Sequence, residues 1–579
     1  MLETSGNNTY RLTGRVRPGF KVDGKDFDCS TMLISVETSC PVGKIAKAVI
    51  VLQDNARTFG ESDADSFPIG SRVEISLARG DDGGTVFCGI VTDRSLQWDA
   101  EGAKVTVTAR HEAFRMTLER RFRCHEDQKD SDIIDTIVGE YGLKADVTAT
   151  TAKFERIVQY NCTDWDFINM RAEAAGLVLC TTPEGIIAHA PDLAAEPVMT
   201  ISSKLSMIRL QMGVSGRDRF KSVSAEAWNY ASRALDTAEE DATGGDTGQG
   251  MDKTADLASG IGNEARVLRL LSGQGTPDAM QQMASAQAMR TGLSRITGKV
   301  SALGYAGVLP LDMVRLEGVG KRFEGETLVT AVIQSYSRKG WETTLGLGLE
   351  DIPFHTRFRD IDSPGADGVA SPTHGLQSAL VDAIEGDPQG EERIRVKLMG
   401  SDTAAIWARV AIPYAGDGRG LVFMPEIGDE VIVGFMGGNP SEAVVLGSMH
   451  GSAAPPPCDK SDDNDIKTIV TREGVRIEFD DKKKHIVIET PGGNSITVSD
   501  DEKAVLVQDQ NGNKLTLSSD GIVLDSAKDV AVKAKGDVNI EGTNVNLKAN
   551  AQLAAKGSAS AEISSSGNTV VKGSIVQIN

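Results

Sequence analysis

Apolar and polar residues alternate along much of the chain up to about Ile201. Lys47-Ala-Val-Ile-Val-Leu52, Arg72-Val-Glu-Ile-Ser-Leu77, Thr85-Val-Phe-Cys-Gly-Ile-Val91 and Lys104-Val-Thr-Val-Thr-Ala109 are examples. A period of two buries one face of a strand, as in a barrel or sandwich. Two helical stretches interrupt the pattern. Ser131-Asp-Ile-Ile-Asp-Thr-Ile-Val138 runs toward Gly142, with Asp130 or Ser131 as the cap. Asp164 to Ala175 follows, with Trp165, Ile168 and Ala172 at helical spacing and Gly176 as the stop.

Asp241-Ala-Thr-Gly-Gly-Asp-Thr-Gly-Gln-Gly250 is glycine-rich and polar, which predicts a flexible loop. Thr276-Pro-Asp278 predicts a helix start, with Thr as cap, Pro in the first turn and an acid on the dipole. Strands resume at Asp312 to Glu317 and Thr327 to Ile333. After a linker at Ser363 to Gly368, residues 375–452 hold about five short strands, which suits a small closed barrel of the OB type. Ala453-Ala-Pro-Pro-Pro-Cys458 is a second, stiffer linker.

The last stretch obeys another rule. From Gly492 to Asn579 there is no Pro, Cys, Met or aromatic residue, and an eight-residue register appears. Val530, Val538, Val545, Leu553 and Ala561 hold its first apolar position. Val532, Ile540, Leu547, Ala555, Ile563 and Val571 come two residues later. Ala534, Gly542, Ala549, Gly557, Ser565 and Gly573 then supply a small residue. Only the step from Ile540 to Leu547 is one short. Each repeat reads as a short strand with alternate side chains inward, then a turn. One chain has too little inward surface to close a core. Three chains, each forming one wall of a triangular prism, bury those side chains round a common axis.

Composition adds limits. The 579 residues carry a formal charge of −21, which opposes binding to nucleic acid. The seven cysteines are scattered with no Cys-x-x-Cys pair, and the histidines are dispersed, so no zinc spacing exists. The N-terminal residues have neither a basic region nor an apolar core, so synthesis in the bacterial cytoplasm without a signal peptide is the expectation.

Phe423-Met-Pro-Glu-Ile-Gly-Asp-Glu-Val-Ile-Val-Gly-Phe-Met-Gly-Gly-Asn-Pro440, followed by Ala443-Val-Val-Leu-Gly-Ser-Met-His450, resembles the signature of the VgrG spike proteins. Gly318 to Gly325 resembles the end of that family's hub, and the octad repeat resembles its spike. The resemblance implies a mainly β protein in three parts. Residues 1–365 would form a hub of β-barrel domains with a few helices, 375–452 an OB-fold neck, and 465–579 a C-terminal trimeric β-helix. The implied role is the central spike and baseplate hub of a contractile injection system, linking a hexameric inner tube to a membrane-puncturing tip. The runs His111 to Leu118 and Asn161 to Gly176 resemble spikes of extracellular, phage-tail-like particles more than type VI secretion or phage tail spikes.

The implied partners are two more copies in a homotrimer, the inner tube protein, baseplate proteins, effector cargo and, transiently, the target membrane. No cofactor and no nucleic acid belong to the scheme. The last histidine is His485, so the tip should hold no metal of its own. The blunt, partly apolar end predicts capping by a PAAR-type tip protein, with Val576, Ile578 and Asn579 in contact. Candidate chemistry is thin. Glu426, Asp429 and Glu430 read as a turn between barrel strands, His450 as a surface side chain, and no Gly-x-Ser-x-Gly or Walker loop is present. An enzyme is therefore not expected. The rivals are a glycan-cleaving tailspike, which needs paired carboxylates in a groove, and an adhesin.

Overall fold

The computed structural model describes residues 14–54, 67–100, 102–270, 276–358, 360–400 and 405–578, and the backbone of 2–3 and 9–10. Two compact units result: 1–374 with 435–442, and 375–434 with 443–579.

Alternation builds the first unit. A thirteen-stranded sheet runs from Met207–Val214 through Ile296–Leu303, Gly340–Leu347, Gly325–Ser337 and Leu33–Pro41 to Lys47–Asp54 and Gly102–Arg110. It continues through Asp82–Asp99 and Arg72–Arg79 to Val16–Val22. Its seam joins distant chain segments, with Ala331 opposite Pro41 and Ser337 opposite Ser35. Two cores form along it. Ile50, Leu52, Val73, Ile75, Leu77, Val105 and Val107 fill one, and Ile201, Val300, Val314, Leu316, Val329 and Leu345 the other. Full burial of each such side chain stabilises by roughly 1.5–3 kcal/mol.

The helices sit where their signals place them. Thr276 caps Pro277–Leu293 by accepting from the Ala279 N–H at 3.3 Å. Thr163 caps Asp164–Ala174 through the Asp166 N–H at 3.1 Å. The third helix, Asp130–Glu140, has no side-chain cap. Asp130 is instead wholly buried and pairs with Arg171 at 2.6 Å, while Gln282 donates to it at 3.2 Å. Asp164, equally buried, accepts from Tyr141 at 2.7 Å and Gln159 at 2.8 Å and lies 3.4 Å from Arg121. Buried carboxylates keep their charge only with such partners.

The loop 241–250 departs from the flexibility its glycines predict. Ala242, Gly245, Thr247 and Gln249 are buried. A Cβ on Gly245 would stand 2.0 Å from the Met289 carbonyl oxygen, so glycine is there to let the helix Pro277–Leu293 come close. Asp246 then pairs with Arg295 at 3.2 Å.

In the second unit the barrel is closed. Gln377–Ala383, Ile394–Leu398, Ala405–Val410, Ala443–Ser448 and Glu430–Phe435 follow one another round it. Its core is small and aliphatic: Ala379, Val381, Ile394, Val396, Ala408, Val431, Val433 and Val445. Asp387 ties down one connecting loop, pairing with Arg393 and accepting from the N–H groups of Gln389 and Glu391.

One residue of the first unit sets a pH dependence. His111 is buried and its Nδ1 accepts from the Ala113 N–H at 3.2 Å. Burial first, and the Arg72 charge second, push its pKa down from 6.5 to about 4. The unfolded chain therefore takes up a proton that the folded chain refuses. Stability is complete above pH 6.5 and falls as pH drops toward 4, by about 3 kcal/mol in all. Thermal melts at pH 7.5 and 4.5 should show a smaller difference for His111→Gln than for the parent chain.

Candidate functional site

The rest of the second unit is a seven-stranded antiparallel meander followed by a strandless tail. The strands are Ile466–Val470, Arg476–Asp480, His485–Glu489, Ser495–Ser499, Ala504–Gln508, Lys514–Ser518 and Gly521–Asp525. Each connection carries a residue with positive φ: Gly474, Lys484, Gly493, Lys503, Gly512 and Gly521. Such turns fix the register of the pairs.

That register gathers most of the large apolar side chains on one face, with Val487, Leu506 and Val523 on the other. Phe479 lies opposite Ile486, Ile488 opposite Ile496, Ile486 opposite Val498, Val507 opposite Leu515, and Leu517 opposite Ile522. Paired residues share a face, so one side of the sheet is a continuous apolar wall. Its other side carries Arg476, Glu478, Glu489, Ser495, Thr497, Gln508 and Lys514. No element among the described residues packs over the wall, which stays open to solvent. Ile496 is 43 % exposed, and a groove of about 490 Å3 opens across Ile488, Ile496, Val507, Leu515 and Leu524. Contiguous exposed apolar surface of this extent marks an interface.

The tail, 526–578, continues the theme without internal pairing. It contains no strand, and bends recur at 527–528, 535–536, 543, 550–551, 558–559, 566–567 and 574–575. These follow the small residues Ala534, Gly542, Ala549, Gly557, Ser565 and Gly573, and they include the one shortened step. Val532, Ile540, Leu547, Ile563 and Val571 are each at least 70 % exposed. An extended backbone without a ladder leaves its N–H and C=O groups for another chain to pair.

The chain span 465–579 thus divides in two, a meander paired within one chain and an octad tail. The sequence reading missed the meander. Its signal was the turn chemistry recurring every nineteen residues, Glu473-Gly474, Pro491-Gly-Gly493 and Asn511-Gly512. Of the tip residues, Ile578 is 91 % exposed, Val576 is about half exposed, and Asn579 lies outside the described residues.

The chemical candidates have local partners. Asp429 accepts from the Glu426 N–H at 2.9 Å, closing the turn. Glu426 pairs with Arg472 at 2.9 Å. His450 Nδ1 is 3.3 Å from the Ala454 carbonyl oxygen on the surface. Among the described residues no three His, Cys, Asp or Glu side chains are placed to hold a metal.

Three family models match the chain. Residues 485–579 match the phage baseplate V C-terminal trimerisation domain, and 377–450 the type VI secretion system/phage-baseplate injector OB domain. Residues 13–337, more than half of the chain, match the Alg8 N-terminal domain. The chain belongs to the Alg8 N-terminal domain family and is a VgrG-type spike protein. Over 96 residues it is 35 % identical to the type VI secretion system spike protein VgrG4b of Pseudomonas aeruginosa, covering 14 % of this chain and 11 % of that protein. Over 128 residues it is 27 % identical to the actin cross-linking toxin VgrG1 of Vibrio cholerae, covering 20 % of this chain and 11 % of that protein. The chain thus spans about a tenth of the length of these relatives. A prophage MuSo2 43 kDa tail protein from Shewanella oneidensis aligns with a TM-score of 0.44 at 13 % identity, over 58 % of this chain and 99 % of that one. In this VgrG-type spike, the apolar wall from His485 onward and the whole octad tail fall inside the trimerisation match.

Charge on the wall tests its role. The wall side chains are already partly covered, so each gains about 1 kcal/mol on closure, whereas a carboxylate there costs several. Ile496→Asp should sediment as a single chain. Thr497→Lys, on the polar face, should sediment as the parent does.

Proposed function

We propose that the chain is the trimeric hub and spike of a contractile injection system. The carrying observation is the apolar wall with its unpaired octad tail, which makes structural sense only with further copies and lies within a trimerisation match. In this reading the work is mechanical. The first unit meets the inner tube and baseplate proteins, the barrel forms a neck, and the prism transmits axial force to a small area of target membrane. Stiffness comes from a continuous hydrogen-bonded wall, with no bond-making chemistry in the spike.

The particle is of the extracellular, phage-tail-like kind, released from the cell that makes it, with effector cargo carried on or within it. The two runs that resemble such spikes support this. His111 to Leu118 and Asn161 to Gly176 pack on each other through Ala113, Met116, Trp165 and Ile168, forming one subdomain core. A membrane-anchored type VI assembly is the alternative, favoured by the sequence likeness to VgrG4b. Negative-stain images of native particles separate them. Free particles with sheath and baseplate carry this reading; their absence, with the protein found only in envelope-anchored assemblies, overturns it.

Three copies of the apolar end at Val576, Ile578 and Asn579 form the platform for a PAAR-type tip protein. A pull-down with that cone protein should lose capture when residues 574–579 are deleted. Unchanged capture contradicts the assignment.

A further inference from the structure

The barrel carries an apolar surface that neither its core nor the prism accounts for. The connection from Gly420 to Gly428 contains no strand beyond Gly420; it buries Pro425 and leaves most of its other side chains outward. Val422 is 72 % exposed and Phe423 58 %, with Leu421, Ile427 and nearby Tyr414 also exposed. The loop is nevertheless fixed at both ends. The Leu421 N–H donates to the Tyr414 carbonyl at 2.8 Å, and the Gly428 N–H donates to Val381 at 2.9 Å. A held loop that presents Val and Phe to water is a contact surface.

The chemistry of its occupant is fixed by what lies beside it. Glu426 on the loop pairs with Arg472, in the first turn of the spike meander, at 2.9 Å. The loop therefore adjoins the root of the wall. Residues 449–465 connect the barrel to the first spike strand, Ile466–Val470, and Met449 stays bonded to Glu430 at 3.0 Å. When three walls close round one axis, their three barrels must crowd together at its root. The exposed loop is continuous with that interface.

We infer that the loop Leu421 to Ile427 packs against the barrel of a neighbouring copy, forming a collar at the neck that is separate from the prism. The inference rests on the trimer proposed above. The collar locks the prism's root, so that axial load passes from barrel to wall without splaying the chains. Each loop supplies an aromatic and three aliphatic side chains, and the Arg472–Glu426 pair sets its angle. That pair is solvent-exposed and serves orientation more than stability.

Hydrogen exchange on the full chain tests this. In the parent protein, backbone amides of residues 421–427 should exchange at least about tenfold more slowly than in monomeric Ile496→Asp. Phe423→Asp should return them to the monomer rate, and Phe423→Leu should restore the slow rate. Equal rates in parent and monomer overturn the collar, whether fast in both or slow in both. A Phe423→Asp protein that keeps the slow rate overturns it too. Light scattering of the same samples distinguishes the failures. A trimeric mass with an unprotected loop removes the collar alone, whereas a monomeric parent removes the proposed function with it.

Discussion

A sheet with one apolar face and one polar face cannot stay bare in water. In this chain the register of seven short strands gathers Phe479, Ile486, Ile488, Ile496, Val498, Val507, Leu515 and Leu517 on one side. The tail that follows leaves its own backbone unpaired. Both deficits have the same remedy, which is more copies of the same wall. Strand polarity, turn spacing and the absence of bulky residues from Gly492 onward all serve that closure. Proline would remove a donor from the ladder.

The first unit solves a different problem. Its strands bury their apolar faces within one chain, and its helices are anchored by buried charges. Asp130, Asp164 and Asp246 each face at least one arginine, and the carboxylate of Glu173 meets Arg290 at 3.1 Å. Such pairs add little net stability over apolar packing, but they fix relative placement, since a misdocked helix would leave a buried charge alone.

Much of this was legible in the residues. The alternation at Lys47 to Leu52 and Arg72 to Leu77 and the Thr276-Pro-Asp start match elements in the structure, and the octad register matches the recurring bends of the tail, because each is a local rule. Long-range consequences were less visible. Gly245 looked like a flexible position, but its purpose is the approach of a helix that begins some thirty residues later. Asp130 looked like a cap, but its partner Arg171 lies on another helix. The meander was hidden because its strands of five are too short to announce a period, and only the recurrent turn residues betray it. The site fared similarly. Phe423 was read as the start of a family signature, and its exposure is a property of the folded barrel alone.

The account stands on the wall being an internal face of a three-chain prism. Native mass spectrometry of the purified full chain addresses that directly. It predicts a dominant species at three times the chain mass of 61.5 kDa, persisting at nanomolar concentration. A dominant species at the mass of one chain, with the wall left in water, would contradict it.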